Sequence, residues 1–129
     1  MDHRVQHVAS FVRANFDKKL TLKELADLVT LSPWWLCHLF QANLNTSPTR
    51  FLAQVRLEKA TDLLADESLS IKEIGHKVGF SNLGQFHREF KANYGVSPAT
   101  YRNGQAKNES KGGGKKEAEK EKAHRAHSL

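Results

Sequence analysis

Apolar positions follow helical spacing through most of the chain. Residues 2–16 place Val5, Val8, Val12 and Phe16 on one side of a helix, and this spacing is typical of an amphipathic helix that packs on a core. Shorter runs with the same spacing follow, each after a Ser or Thr that can cap a helix. The pattern predicts an all-α fold of about seven helices.

Part of this pattern occurs twice. The run QANLNTSP at 41–48 is nearly matched by KANYGVSP at 91–98, and LTLKEL at 20–25 by LSIKEI at 69–74. A match at a period of about fifty residues indicates one supersecondary unit used more than once. The second copy has one extra residue, inserted between Ser81 and Phe86.

Each unit is predicted to begin with a capped helix. The runs TLKE and SIKE fit the capping box, in which a hydroxyl and a carboxylate satisfy free backbone amides. Ala26 and Gly75 are both small at the same repeat position, as expected where a second helix crosses closely. Gly79 suits the left-handed conformation that ends such a helix, and Thr30, its counterpart, suits it less well.

A second helix is predicted after each turn. Ser32 and Ser81 are its predicted N-caps, and Asn45 and Gly95 its predicted ends, since both residue types tolerate positive φ. Each unit is therefore predicted to be a helix-turn-helix. The units cover about residues 20–44 and 69–94.

A long helix is predicted between the units, over about residues 47–65. Phe51, Val55, Leu57 and Ala60 recur at helical spacing there, and no Gly or Pro interrupts the segment after Pro48. A continuous helix would hold the two units at a fixed separation.

Composition divides the chain near Arg102. The 129 residues suit one domain or two very small ones, and the predicted domain covers 1–102. Residues 103–129 hold 7 Lys+Arg and 4 Asp+Glu and no aromatic residue, so they bury too little apolar surface to fold alone. They are predicted to be a disordered charged tail, or an arm that contacts DNA nonspecifically. Half of the chain's net charge of +6 lies there, which weakens the case for a polyanion partner from total charge.

The remaining composition predicts a soluble cytoplasmic protein. Cys37 is the one cysteine, so no internal disulfide forms and a reducing compartment fits. No apolar stretch is long enough for a membrane span, and the N-terminus lacks the apolar core of a signal peptide. His3 and His7 have no Glu between them, and HExxH, P-loop and GxSxG motifs are absent. We expect neither an enzyme nor a metal or cofactor site.

The ordered motifs resemble those of one family. The runs RLEKATDLL at 56–64 and SIKEIGHKVGFSNLGQFHREFKANYGVSPATYR at 70–102 resemble the signature of the AraC/XylS bacterial transcription regulators, and the similarity covers about residues 5–102. It implies two helix-turn-helix subdomains of homeodomain-like type joined by a long helix, with the second helix of each unit in the major groove. It also implies promoter activation through RNA polymerase in the bacterial nucleoid.

The outward faces of these second helices predict the base-reading residues. Leu36 and Phe40, and likewise Phe86 and Phe90, are the predicted core anchors. The candidates on the opposite faces are Trp34, Cys37, His38, Gln41, Leu83, Gln85, His87 and Arg88.

Arg88 is the leading candidate, since arginine can bond guanine O6 and N7 together. The alternatives for Arg88 are a phosphate contact or an ion pair with Glu89, and for Trp34 packing on Trp35. The family more often carries arginine at the position of His38, so the first unit is expected to bind more weakly or to read a different base.

Further basic residues are candidates for phosphate contacts, which position a protein without reading sequence. They are Lys18, Lys19, Arg50, Lys72, Lys77, Lys91 and Arg102.

Together these features predict a monomer that binds promoter DNA as a double strand. The recognition helices would enter successive major-groove segments about 34 Å apart, and because their faces differ the site would be asymmetric. The chain is expected to be a stand-alone activator or the excised output domain of a larger ligand-responsive regulator. Two different reading faces argue against a nonspecific nucleoid-associated binder.

Overall fold

Seven α-helices make up the described part of the chain, residues 1–111 of a computed structural model, and no strand occurs in it. The predicted all-α fold is confirmed. The helices are α1 (His3–Asn15), α2 (Leu22–Leu28), α3 (Pro33–Leu44), α4 (Pro48–Leu64), α5 (Ile71–Lys77), α6 (Leu83–Tyr94) and α7 (Pro98–Lys111).

Side-chain caps begin the first helix of each unit. Thr21 Oγ1 accepts a hydrogen bond from the Glu24 backbone N–H at 3.1 Å. The reciprocal pair that defines a capping box is found at Ser70 and Glu73, with distances of 3.0 and 3.4 Å. Local sequence alone is enough to set these starts, because the cap satisfies amides that the helix leaves free.

The second helix of the second unit begins at a different cap from the one predicted. Asn82, not Ser81, is its N-cap, and Asn82 Oδ1 accepts from the Gln85 backbone N–H at 2.7 Å. The extra residue of the second repeat lies in this turn and moves the helix start along by one position. Asn caps a helix as well as Ser does, so the shift leaves the helix capped.

The last helix runs past the boundary predicted at Arg102. α7 continues to Lys111, nine residues beyond it, because adding a residue to a helix that has already formed costs far less than starting a new one. The rest of the predicted tail, 112–129, lies outside the described residues.

The helices enclose two hydrophobic cores, one for each unit. The first is built from α1, α2, α3 and the N-terminal half of α4; the second from the C-terminal half of α4 with α5 and α6. Buried in the first core are Val5, Val8, Val12, Leu25, Ala26, Leu36, Phe40, Leu44, Phe51, Leu52 and Val55. Buried in the second are Leu57, Ala60, Leu64, Ile74, Val78, Phe80, Phe86 and Phe90.

The predicted linker helix is α4, and it is part of both cores. Phe51 and Val55 pack in the first core, and Leu57 and Leu64 in the second. Its 17 residues span about 25 Å at 1.5 Å per residue. Each unit is therefore attached to α4 by buried side chains along half of the helix.

Across residues 1–111, none of the helices combines the length and the apolar character that a membrane span requires.

Candidate nucleic-acid interface

The recognition helix of the first unit, α3, presents an exposed aromatic surface. Leu36 and Phe40 are fully buried on its inner side. Trp34 is 65% exposed and stacks on Trp35 with ring centroids 5.8 Å apart. The His38 ring lies 4.0 Å from the Trp34 ring. The predicted packing of Trp34 on Trp35 is thus present, and it still leaves most of the Trp34 ring open to a ligand.

The other two candidates on α3, Gln41 and Cys37, differ in solvent exposure. Gln41 is exposed, and its Nε2 donates to Asn45 Oδ1 at 3.0 Å. Cys37 is half-buried, so it lies at the margin of the outward face.

The recognition helix of the second unit, α6, exposes an apolar and a cationic side chain. Leu83 is 40% exposed, and Arg88 is exposed. A Cβ added at Gly84 would lie 3.5 Å from Arg88 Nη1, so the guanidinium lies over Gly84, toward the N-terminal turn of α6. Base edges are usually contacted from that turn.

Arg88 does not form the ion pair proposed as its alternative role. Glu89 instead accepts from Arg50 Nη1 at 2.7 Å. Within residues 1–104, no hydrogen bond or ion pair of the Arg88 side chain is present. The guanidinium therefore keeps its full donor set for a ligand.

Gln85 and His87 lie at the two margins of the α6 face, and both are half-buried. Gln85 lines a groove between the units together with Arg56 and Phe80. The His87 ring meets Phe86 edge-on at 6.1 Å, and its buried Nε2 lacks a hydrogen-bond partner among the described residues. His87 is therefore oriented in part toward the core.

The structure separates the phosphate candidates into two groups. Lys18, Lys19, Lys72, Lys77 and Lys91 are exposed. The two arginines of that set are engaged within the protein, Arg50 with Glu89 and Arg102 with backbone carbonyls. The Arg102 guanidinium donates to the carbonyl oxygens of Leu64, Asp66 and Leu69 at 3.1, 3.2 and 2.8 Å.

Arg56 is a structurally important residue that the sequence interpretation did not identify. Its Nε donates to the Phe16 carbonyl at 2.7 Å, and its Nη2 to the Lys18 carbonyl at 2.8 Å. Burial lowers the pKa of Arg56, and the negative charge of Asp17 opposes that shift. A usable signal was present, because Arg56 lies between Val55 and Leu57, which are both buried.

Metal-ligating side chains do not converge anywhere in the described part of the chain. No group of three or more His, Cys, Asp or Glu residues there is placed to hold an ion. The candidate site consists of side chains on the outward faces of α3 and α6.

A family model described as "Helix-turn-helix domain" matches residues 25–104. The chain is 31% identical over 98 residues to the lactose operon transcription activator of Staphylococcus xylosus, covering 76% of this chain and 35% of that protein. It is 33% identical over 102 residues to the HTH-type transcriptional regulator GbdR of Pseudomonas aeruginosa, covering 79% and 28%. The chain thus spans about a third of the length of these curated relatives.

Solved structures share the fold. The C-terminal domain of AraT, a response regulator from Geobacillus stearothermophilus, is 33% identical with a TM-score of 0.73, covering 78% of this chain and 84% of that one. A probable AraC family transcriptional regulator from Rhodopseudomonas palustris is 28% identical with a TM-score of 0.72, covering 79% and 96%. The DNA-binding domain of AdpA, solved in complex with a target DNA, has a TM-score of 0.73 at 22% identity, covering 78% and 90%, and shows the fold alone.

Proposed function

We propose that this chain, which belongs to the helix-turn-helix family of AraC-type transcription regulators, binds an asymmetric two-part site in double-stranded DNA through α3 and α6. The observation that carries the proposal is the presence of two exposed recognition faces of different chemistry. The face of α3 is aromatic, with Trp34 beside His38, and that of α6 is cationic and apolar, with Arg88 beyond Leu83.

Each face suits a different base. The Arg88 guanidinium, which has no partner within residues 1–104, can donate two parallel bonds to guanine O6 and N7, so Arg88 favours guanine. The Trp34 ring can pack against the methyl group that marks thymine in the major groove. Because the faces differ, one unit cannot substitute for the other, and the two half-sites are expected to differ in sequence.

The duplex would be held by exposed lysines. Lys72, Lys77 and Lys91 are exposed around the second unit, and such contacts fix orientation without reading bases. One copy of the chain supplies both recognition helices, so a monomer suffices for the site. If the two helices lie closer than one turn of DNA, about 34 Å, the duplex must bend.

For the biological output we propose promoter activation through RNA polymerase, on chromosomal DNA in the bacterial cytoplasm. Activation is favoured over repression by the name of the Staphylococcus xylosus relative, a transcription activator. We propose that the domain acts either as a stand-alone regulator or as the DNA-binding output of a longer, ligand-responsive chain.

The test is selection of bound duplexes from a random DNA library, followed by titration of the selected site against a scrambled one near physiological salt. We expect one asymmetric two-part motif, bound at least about a thousandfold more tightly than scrambled DNA. If no motif emerges and binding only weakens with salt, the chain is a nonspecific binder and the proposal fails.

Arg88→Ala tests the reading of one base, with Lys91→Ala on the same helix as the matched control. Arg88→Ala is expected to cost about 1–3 kcal/mol on the selected site and to relax preference at one base pair. Lys91→Ala should weaken all sequences equally and lower the salt slope by about one. Equal weakening of all sequences by Arg88→Ala would make Arg88 a phosphate contact instead.

A further inference from the structure

The two hydrophobic cores meet at the end of α1. Phe16, the C-cap residue of α1, packs against both hydrophobic cores. The backbone carbonyl of Phe16 accepts the Nε–H of Arg56, from the centre of α4. This contact joins the first unit to the helix that both units share.

The turn of the second unit, at Gly79, packs against the same Phe16 carbonyl and Arg56 side chain. A Cβ added at Gly79 would lie 2.7 Å from the Phe16 carbonyl oxygen and 2.8 Å from Arg56 Nε. The Arg56 guanidinium also lies 5.8 Å from the centre of the Phe80 ring. Arg56 is therefore in contact with the end of α1 on one side and with the turn of the second helix-turn-helix on the other.

An ion pair also links the first turn of α4 to α6, the recognition helix of the second unit. Arg50, in the first turn of α4, donates to Glu89 of α6 at 2.7 Å, across 39 residues of sequence. The first turn of α4 is attached to the first core through Phe51. The pair is partly exposed, with 41% and 31% of the two side chains accessible, so it adds orientation more than energy.

We propose that Arg56 is a positioning residue that fixes the angle between the two recognition helices and thereby selects the spacing between the two DNA half-sites. This inference rests on the proposed function. Helices curve readily, so α4 by itself leaves some freedom between the units. A planar guanidinium bonded to two carbonyls and packed against a ring holds one geometry, which a lysine ammonium on its flexible stem cannot reproduce.

Arg102 supplies a matched control. It forms a similar fork, with Nε bonded to the Leu64 carbonyl and Nη2 to the Asp66 carbonyl. Its contacts hold α7 to the loop between α4 and α5, away from the end of α1. Arg102→Lys therefore removes an equivalent fork without touching the junction of the two units, and both lysine variants keep the positive charge.

The first experiment measures the junction in the free protein. Spin labels at Lys23→Cys and Lys72→Cys, both exposed positions, in a Cys37→Ser background, report the distance between the units by double electron–electron resonance. Arg56→Lys should broaden or shift the distance distribution, and Arg102→Lys should leave it unchanged. An unchanged distribution in Arg56→Lys overturns the proposal whatever the protein does on DNA.

The second experiment measures spacing selectivity. Affinities are compared for duplexes in which the selected half-sites are one base pair closer, at the selected spacing, or one base pair farther apart. Arg56→Lys is expected to lose about tenfold, or 1.4 kcal/mol, of the preference for the selected spacing, with affinity for an isolated half-site unchanged. Arg102→Lys should keep the preference even if its Tm falls.

The outcomes separate the two proposals. If Arg56→Lys keeps the full spacing preference while the wild type binds a two-part site, the positioning role is wrong and the proposed function stands. If the wild type shows no spacing preference at all, the two-part site is wrong, and the spacing role of Arg56 falls with it.

Discussion

Gly79→Ala is expected to destabilise the protein strongly, because the added methyl group has no space. Gly79 has φ +104° and ends α5 where the turn meets the end of α1. Its Cβ would lie 2.7 Å from the Phe16 carbonyl oxygen and 2.8 Å from Arg56 Nε. The first of these neighbours is backbone and cannot rotate away.

Two costs combine at this position. A left-handed conformation costs an L-residue about 1–2 kcal/mol, and overpacking a close-packed site costs about 1–3 kcal/mol. Together they give about 2–5 kcal/mol. For a domain near this size, one kcal/mol corresponds to about 4–8 °C, so we expect Tm to fall by at least about 8 °C.

The assay is thermal unfolding followed by far-UV circular dichroism, and the repeat provides the control. Thr30 occupies the same place in the first unit with φ +59°, so an L-residue is already accommodated there. Thr30 is exposed, and Thr30→Ala should change stability by less than about 0.5 kcal/mol.

Two results would refute this reasoning. A fall of less than about 4 °C in Gly79→Ala, equivalent to about 1 kcal/mol or less, would mean that the turn can move away from Phe16. A fall of similar size in Thr30→Ala would mean that the effect belongs to turns in general and not to the junction of the units.

Three further predictions concern separate parts of the structure. Trp34→Ala should leave Tm nearly unchanged, since the ring is 65% exposed. In a fluorescence titration it should lower the affinity for the selected site more than the affinity for scrambled DNA, and an equal loss of both affinities would exclude base reading by Trp34. Gly75→Ala should lower the free energy of unfolding, measured by urea titration, by a net of about 1 kcal/mol, because its Cβ would lie 2.9 Å from Phe86 Cδ2 and overpacking outweighs the gain in helix propensity. A higher free energy of unfolding would contradict this. Arg4 lowers the pKa of Asp2 from 3.8 to about 2, so the ionised carboxylate stabilises the fold above pH 3.8, and this contribution is lost as the pH falls toward 2. Asp2→Asn should therefore flatten the dependence of Tm on pH in this range, and an unchanged dependence would contradict the prediction.

Most helix boundaries were predictable because they depend on neighbouring residues. Ser32 and Ser47 cap α3 and α4 as expected, each accepting a backbone N–H three residues ahead. Asn45 and Gly95 end α3 and α6 at φ +57° and +79°. Such signals act within one turn of chain, so no tertiary information is needed to see them.

The outward faces were predictable only at their centres. Trp34 and Arg88, opposite the buried phenylalanines, are exposed. Cys37 and His87 are both half-buried, although helical periodicity placed them outward. They occupy the same repeat position, and the same margin of the helix lies close to its neighbours in both units. Periodicity defines the middle of a face, but the packing angle of the adjacent helix decides where the face ends.

The roles of the arginines could not be predicted from charge. Positive charge alone predicts phosphate contacts for Arg50 and Arg102, yet in the structure both bond groups that lie 33–39 residues away in sequence. A long side chain can reach several groups from one backbone position, and only the tertiary structure decides which. The lysines, with compact and strongly hydrated charges, remain exposed where the sequence places them.

Arg56 and Arg102 make similar contacts to backbone carbonyls, but the internal repeat does not predict them because the two arginines are not at equivalent repeat positions. Arg56 bonds the carbonyls of Phe16 and Lys18, and Arg102 bonds those of Leu64, Asp66 and Leu69. Each guanidinium thus bonds two carbonyls two residues apart, at the end of the helix that precedes a helix-turn-helix. The loops correspond in the repeat, but Arg102 matches Leu52 and not Arg56.

Carbonyls at the end of a helix lack hydrogen-bond donors. Arg56 on α4 supplies donors at the end of α1, and Arg102 on α7 supplies them at the end of α4. The guanidinium groups of Arg56 and Arg102 therefore donate to backbone carbonyls of the protein itself. Within residues 1–104, we expect the charge available to DNA to be carried mainly by Arg88 and the exposed lysines, and substitution of these residues should lower the salt dependence of binding.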